Sequence, residues 1–165
     1  MKESKINVNQ QESNDMTLLG EFNNQVSWFR GEISATTDGT SHDAEAIDVK
    51  GRKTIIEHKE RKGKTDLYIT KYGTVLVEPL KIAHMSKLQA VSGHSINQQR
   101  LYINYTDDGV IIFNMNERHH MEYYPSHHHF DPIEGKYVDE DRFGIPVDEA
   151  IIYIKQNGRY IRYEG

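Results

Sequence analysis

Three residues have types and spacing that could do chemistry together. Asp43 stands fourteen residues before Glu57, and Glu57-His58-Lys59 places a carboxylate and an ammonium two residues apart. A strand alternates its side chains between faces, so Glu57 and Lys59 share one face while Ile56 and His58 take the other. The intervening Lys50-Gly51-Arg52-Lys53 is a hairpin signal. A turn centred near residues 51–52 sets Glu57 opposite about residue 46 and Lys59 opposite about residue 44. Asp43 then ends its strand beside Lys59, within reach of Glu57. Two converging carboxylates repel unless a cation lies between them, and oxygen ligands completed by water suit Mg²⁺ or Mn²⁺. Such an ion stabilises charge on a phosphoryl oxygen, and a nearby lysine orients or helps deprotonate an attacking water. These are the parts of a phosphodiester-cleaving site. The plainer reading is a solvated charge pair on an exposed sheet face, with Asp43 in a turn. The aliphatics flanking Glu57 argue against a fully solvated strand.

Other polar residues are weighed against this set. Asp48 is close to the turn and reads as a turn or edge residue; Glu45 shares the face of Asp43 and is a reserve ligand. Lys81, Lys87 and Gln89 read first as the polar outer face of a helix. His119, His120, His127, His128 and His129 crowd one segment. Imidazoles suit Zn²⁺, but adjacent histidines in a strand point to opposite faces and no His-Glu-X-X-His spacing is present, so the segment reads as a surface loop. The aromatics beside it, Tyr123, Tyr124, Phe130 and Tyr137, suit packing better than stacking on bases.

The elements that must position these residues are legible as periodicities. Residues 1–14 are polar and read as a flexible tail, with Asp15 as an N-cap. Leu18, Phe22, Val26, Phe29 and Ile33 recur at helical spacing and predict a helix over 16–33, with Glu21 at the edge of its stripe. Strands are predicted at 43–49 and 54–61, and a third extended segment at 66–77 is interrupted by Gly73. Pro79 opens a second helix to about 91. Strands at 101–105 and 110–115 flank Thr-Asp-Asp-Gly, and 150–154 and 160–163 flank Gln-Asn-Gly-Arg; both are hairpin signals. The intervening 117–148, rich in His, Asp, Pro and Tyr, reads as an extended loop or insertion. The order is that of an α/β sandwich with a mixed sheet. The expected division is a tail at 1–14, a core at 15–116 and a loop-rich extension with a terminal hairpin at 117–165.

Composition sets the outer limits. A chain of 165 residues suffices for one domain with a real core. No cysteine is present, which rules out disulfides and thiolate metal sites and fits a reducing cytoplasm. No apolar run approaches membrane-span length, and the first residues lack the apolar stretch of a secretory signal. The net charge of −5 counts mildly against nucleic acid, yet Lys50, Arg52, Lys53, Lys59, Arg61, Lys62, Lys64 and Lys71 fall within 22 residues. A local basic surface is therefore compatible with the overall acidity.

Asp43, a hairpin and Glu57-His58-Lys59 together resemble the Asp…(Asp/Glu)-X-Lys motif of the PD-(D/E)XK nuclease superfamily, the restriction-endonuclease-like fold. The resemblance covers about residues 16–115, and the compact layout is similar to that of Holliday-junction resolvases and related phage or mobile-element proteins. The proline that often precedes the first motif is replaced by His42. The resemblance implies a mixed sheet flanked by helices, here with a C-terminal β extension. It implies Mg²⁺-dependent, or Mn²⁺-dependent, hydrolysis of DNA, with Asp43 and Glu57 as metal ligands and Lys59 positioning water. Glu21, the matching acid on the preceding helix, would complete the metal shell. Arg61, Lys62 and Lys64 would meet the phosphate backbone. DNA is the expected partner, branched DNA included; a homodimer is left open and no membrane is expected. The alternative is a non-catalytic interaction protein on the same fold, serving a phage or mobile element through its Tyr-rich, acidic C-terminal part.

Overall fold

The computed structural model describes residues 8–36, 42–83, 85, 98–131 and 133–165. Helix α1 runs Val8–Val26 and is followed by β1, Phe29–Ala35. Strands β2, Ala44–Asp48, and β3, Lys53–Glu60, form the hairpin, and a short helix α2, Thr65–Leu67, runs on into a π-helical turn, Tyr68–Tyr72. Strand β4, Thr74–Val77, leads to a helical segment, α3, at 79–83. Then come β5, Gln98–Thr106; β6, Gly109–Asn114; β7, Glu122–Asp131; β8, Lys136–Pro146; β9, Ile151–Gln156; and β10, Arg159–Arg162.

The fold is α/β with a mixed sheet. Seven strands lie in the order β1-β2-β3-β5-β6-β9-β10, and a smaller sheet has the order β4-β8-β7. In the large sheet β3 runs parallel to β5 and antiparallel to β2. Each face of that sheet has its own core. Leu19 and Phe22 of α1 bury themselves against Ala44, Ile56, Ile103 and Ile112 on one face. Val75 and Val77 of β4 and Ile145 of β8 pack against Tyr102, Ile111, Phe113 and Ile152 on the other. Strand β3 therefore lies between two apolar layers, and removing each such large side chain from water contributes about 1.5–3 kcal/mol.

Several expectations meet corrections here. The helix begins at Val8, so residues 8–14 are helical rather than a tail and Asp15 is not an N-cap. It ends at Val26, not 33. Ser27 adopts φ 54°, and its N–H reaches the Asn23 carbonyl at 2.8 Å. The Asn23 side chain then takes the Phe29 N–H at 2.7 Å, turning the chain into β1. Phe29 and Ile33 continue the predicted stripe only because a spacing of four is even and also keeps one face of a strand. Residues 66–77 are not one extended segment: Gly73, at φ 70°, caps the helical turn before β4. The predicted loop at 117–148 holds the long β7–β8 ribbon. Its turn is closed by Asp131 Oδ1, which accepts the N–H groups of Ile133 and Glu134, and by Gly135 at φ 69°. Of the predicted helix from Pro79, residues 79–83 are helical, and Lys87 and Gln89 lie outside the described residues. The hairpins β5–β6 and β9–β10 stand where the turn signals put them, the latter through Asn157 and Gly158 at φ 52° and 76°.

Candidate active site

The β2–β3 hairpin is held by its turn. Asp48 accepts the N–H groups of Lys50 and Arg52 on Oδ1, and the Arg52 guanidinium at 2.8 Å on Oδ2. These bonds hold the Asp48 carboxyl below its ordinary range even though burial opposes the shift, which makes it the turn residue expected. The register pairs Ala44 with Ile56 and Ala46 with Thr54. This differs from the anticipated register, because the turn centres nearer residue 50 than 51–52. Asp43 stands just outside this ladder: its N–H donates to the Ile56 carbonyl at 3.0 Å, and its carboxyl lies beside Glu57 and the His58 N–H rather than beside Lys59.

Asp43 and Glu57 are joined at the end of this hairpin. Asp43 Oδ2 accepts the backbone N–H of His58 at 3.1 Å, and the Glu57 carboxyl shares a hydrogen bond with Asp43. Glu57 is 3% exposed, on the sheet face that carries its neighbour Tyr102 of β5. Burial, with Asp43 beside it, raises the Glu57 pKa to about 7. A carboxyl buried beside a second carboxyl is held toward its neutral form. The compensating charge is Lys81, whose Nζ lies 2.6 Å from Glu57 Oε2. Burial alone would lower the Lys81 pKa, but the Glu57 and Asp43 carboxylates hold it above the ordinary lysine value.

Lys59 occupies the same face one pleat further on. Its ammonium lies 3.3 Å from Glu78 Oε1, where the chain leaves β4. Burial and the Arg61 guanidinium lower its pKa, and Glu78 opposes them. Glu78 also lies 4.0 Å from Arg142 of β8, which in turn holds Glu140 at 2.9 Å and His129 Nε2 at 2.7 Å.

The opposite face of β3 carries a different group. His58 Nδ1 is 2.9 Å from the Tyr105 hydroxyl, and burial lowers the His58 pKa to about 4. Asp15 of α1 is 5% exposed and hydrogen-bonded to Glu60 at the end of β3; its Oδ1 has no hydrogen-bond partner among the described residues. Burial, then the charges of Glu60 and Asp43, raise its pKa to about 7.

Glu21 is the site residue that the structure moves away. Its side chain is 53% exposed and faces Lys155 of β9 at 4.0 Å. The stripe that α1 buries runs Asp15, Leu19 and Phe22, and Glu21 lies off it. The helix acid that senses Asp43 is Asp15. Arg61 is corrected as well: its guanidinium is taken up by Asn104 Oδ1 at 2.9 Å, the Tyr102 hydroxyl at 2.7 Å and the Leu76 carbonyl. It fastens β3 to β4 and β5 instead of facing solvent, whereas Lys62 and Lys64 are exposed. Glu45 is held by His42 at 2.8 Å and Lys53 at 3.4 Å.

Asp15, Glu78 and Lys81 are the site residues that sequence reasoning missed or set aside. Asp15 had a signal, an acid at positions −4 and −7 from the buried Leu19 and Phe22. Glu78-Pro79-Leu80-Lys81 had another, since a proline opening a helix just after a strand puts Lys81 in the first turn, next to the strand end.

Among the described residues no three His, Cys, Asp or Glu side chains form a ready-made metal cage. The histidines of β7 are engaged with their own ribbon: His128 Nδ1 is 2.7 Å from Asp139, and His127 stacks on His129 at 5.9 Å. Among the described residues no helix is long and apolar enough to cross a membrane. No protein-family model matches the chain, and no curated protein matches its sequence.

Proposed function

We propose that the chain is a PD-(D/E)XK-type nuclease of restriction-endonuclease-like fold that hydrolyses DNA phosphodiester bonds with Mg²⁺ or Mn²⁺. One observation carries the reading: Asp43 meets Glu57 at the end of the β2–β3 hairpin, with Lys59 on the same face one pleat away. The order α1-β1-β2-β3 and the return to a parallel β5, through a connection that contains α2, β4 and α3, support it.

The donor set fits a hard cation. The buried Glu57 carboxyl, with the half-buried Asp43 carboxyl beside it, is a pair of oxygen donors, and Mg²⁺ commonly takes one or two carboxylates and completes its shell with water. Asp43 and Glu57 would hold the ion. Asp15, in place of Glu21, would add negative potential from α1. When bound, the ion supplies Lewis-acid stabilisation of charge on a phosphoryl oxygen. Lys59 donates from its Glu78-anchored position to the attacking water and to the developing oxyanion charge. Lys62 and Lys64 offer charge to the phosphate backbone. Branched, flapped, single-stranded and duplex DNA with Mg²⁺ and Mn²⁺ test the reading. Cleavage by the wild type and none by Asp43→Ala is expected; cleavage that persists in both Asp43→Ala and Glu57→Ala refutes it.

One observation favours a second reading, a non-catalytic protein-binding module. The β7–β8 ribbon carries six carboxylates against Lys136 and Arg142, with Tyr123, Ile133 and Tyr137 exposed. That surface repels DNA and suits a basic protein. Absence of cleavage and of metal binding in the same assays selects it.

A further inference from the structure

We propose that Lys81 is a built-in counter-ion that couples cation binding to nucleic-acid binding: in the free protein its ammonium occupies Glu57, and a phosphate of the nucleic acid draws it away and frees Glu57 for the metal. The inference rests on the nuclease reading and assigns that site an order of events.

The geometry places Lys81 on the carboxylate and leaves part of its side chain open to solvent. Its Nζ lies 2.6 Å from Glu57 Oε2, so it occupies an oxygen that a divalent ion would need. A divalent ion and an ammonium repel at that distance, and one must leave. Lys59 is not the competitor, because Glu78 holds its ammonium at 3.3 Å. Lys81 is able to move. It sits in the first turn of α3 on a four-carbon stem, and its side chain remains 25% exposed. By contrast, the Arg61 guanidinium is fixed by Asn104, Tyr102 and the Leu76 carbonyl and cannot swing out without breaking three bonds. A phosphate arriving at the open side of the pair offers the partly exposed Lys81 ammonium a second anionic partner. Linkage makes the effect reciprocal: whatever factor the nucleic acid adds to metal affinity, the metal adds to nucleic-acid affinity.

The experiment uses Ca²⁺ as the probe, a hard cation that takes oxygen ligands, with calorimetric titration of the full chain. It is done alone and with a four-way-junction or duplex oligonucleotide. Wild type is expected to bind Ca²⁺ at least about 5-fold more tightly with DNA present, within the usual range of coupling energies. Lys81→Met should bind Ca²⁺ about tenfold or more tightly than wild type without DNA and gain nothing further when DNA is added. Lys81→Arg, which keeps the charge, should retain the coupling and guards against a packing effect. Equal or weaker Ca²⁺ binding by Lys81→Met, while wild type binds through Glu57, overturns the proposal alone. Wild-type binding that is indifferent to Glu57→Gln overturns the carboxylate-pair reading with it.

Discussion

The two faces of β3 treat buried charge in opposite ways. On the face of Glu57 and Lys59, every acid has a cation within reach: Lys81 on Glu57, Lys59 and Arg142 near Glu78. On the face of His58 and Glu60, Asp15 meets another carboxyl, and the nearby imidazole is kept neutral by burial. The first arrangement pairs each of these acids with an opposite charge. The second stores unfavourable potential behind Asp43, which costs stability and attracts positive charge to the strand end. Buried ion pairs are a weak source of stability even when satisfied, so neither face is explained by folding alone. Both are explained if a cation belongs at Asp43.

Substitutions on each face can break this contrast. The largest effect is expected from Lys59→Ala, where turnover should fall by roughly 10²-fold or more, the usual scale for a positioned donor. Metal binding should persist, so a titration alongside single-turnover cleavage tells loss of chemistry from loss of the ion. Glu57→Ala should lose both.

Next in size is Asp15→Asn, which removes the buried charge that Glu60 and Asp43 oppose and should stabilise the protein at pH 7.5. The native pKa of Asp15 is raised from 3.8 to about 7. Between those values the native state holds more protons than the unfolded chain, so stability falls as pH rises through the window. Urea denaturation from pH 4 to 8 should show this slope flattened in Asp15→Asn. An unchanged slope would mean that the stored charge lies elsewhere. Cation affinity should fall in the same variant.

His58 contributes with the other sign. Its native pKa is lowered from 6.5 to about 4, so its contribution is complete above 6.5 and is lost as pH falls toward 4. In Asp15→Asn the opposing carboxylate slope is weakened, and stability should decline more clearly on acidification. Tyr105→Phe removes the hydroxyl on His58 and should cost about 0.5–1.5 kcal/mol, with cleavage little changed. The smallest effect is expected at the ribbon: His127→Ala and zinc chelation should each move the unfolding free energy by less than about 0.5 kcal/mol. A larger loss on chelation would reveal a structural zinc.

The alternation of β3 made the shared face of Glu57 and Lys59 legible, because a period of two survives any uncertainty in strand ends. The hairpin was legible from Lys50-Gly51-Arg52-Lys53, but its register was not, since a turn shift of one or two residues changes every opposite pair. Glu21 and Asp15 were confused for a related reason. Phe29 and Ile33 extend the apolar stripe at a spacing that a strand displays equally well, so the stripe does not by itself fix which face α1 buries. Lys81 was readable as a helix residue, but its contact with Glu57 depends on how α3 docks after β4, a tertiary fact that no local pattern encodes. The β7–β8 ribbon hid because its alternation is among histidines, tyrosines and acids, not between apolar and polar residues.

The position of the divalent ion decides between the two readings of this site. Crystals soaked in Mn²⁺ and measured for anomalous scattering locate it directly. The account predicts a manganese peak ligated by Asp43 and Glu57, with the Lys81 ammonium displaced from Glu57. A peak at the β7 histidines, with the Lys81 ammonium still on Glu57, would contradict it.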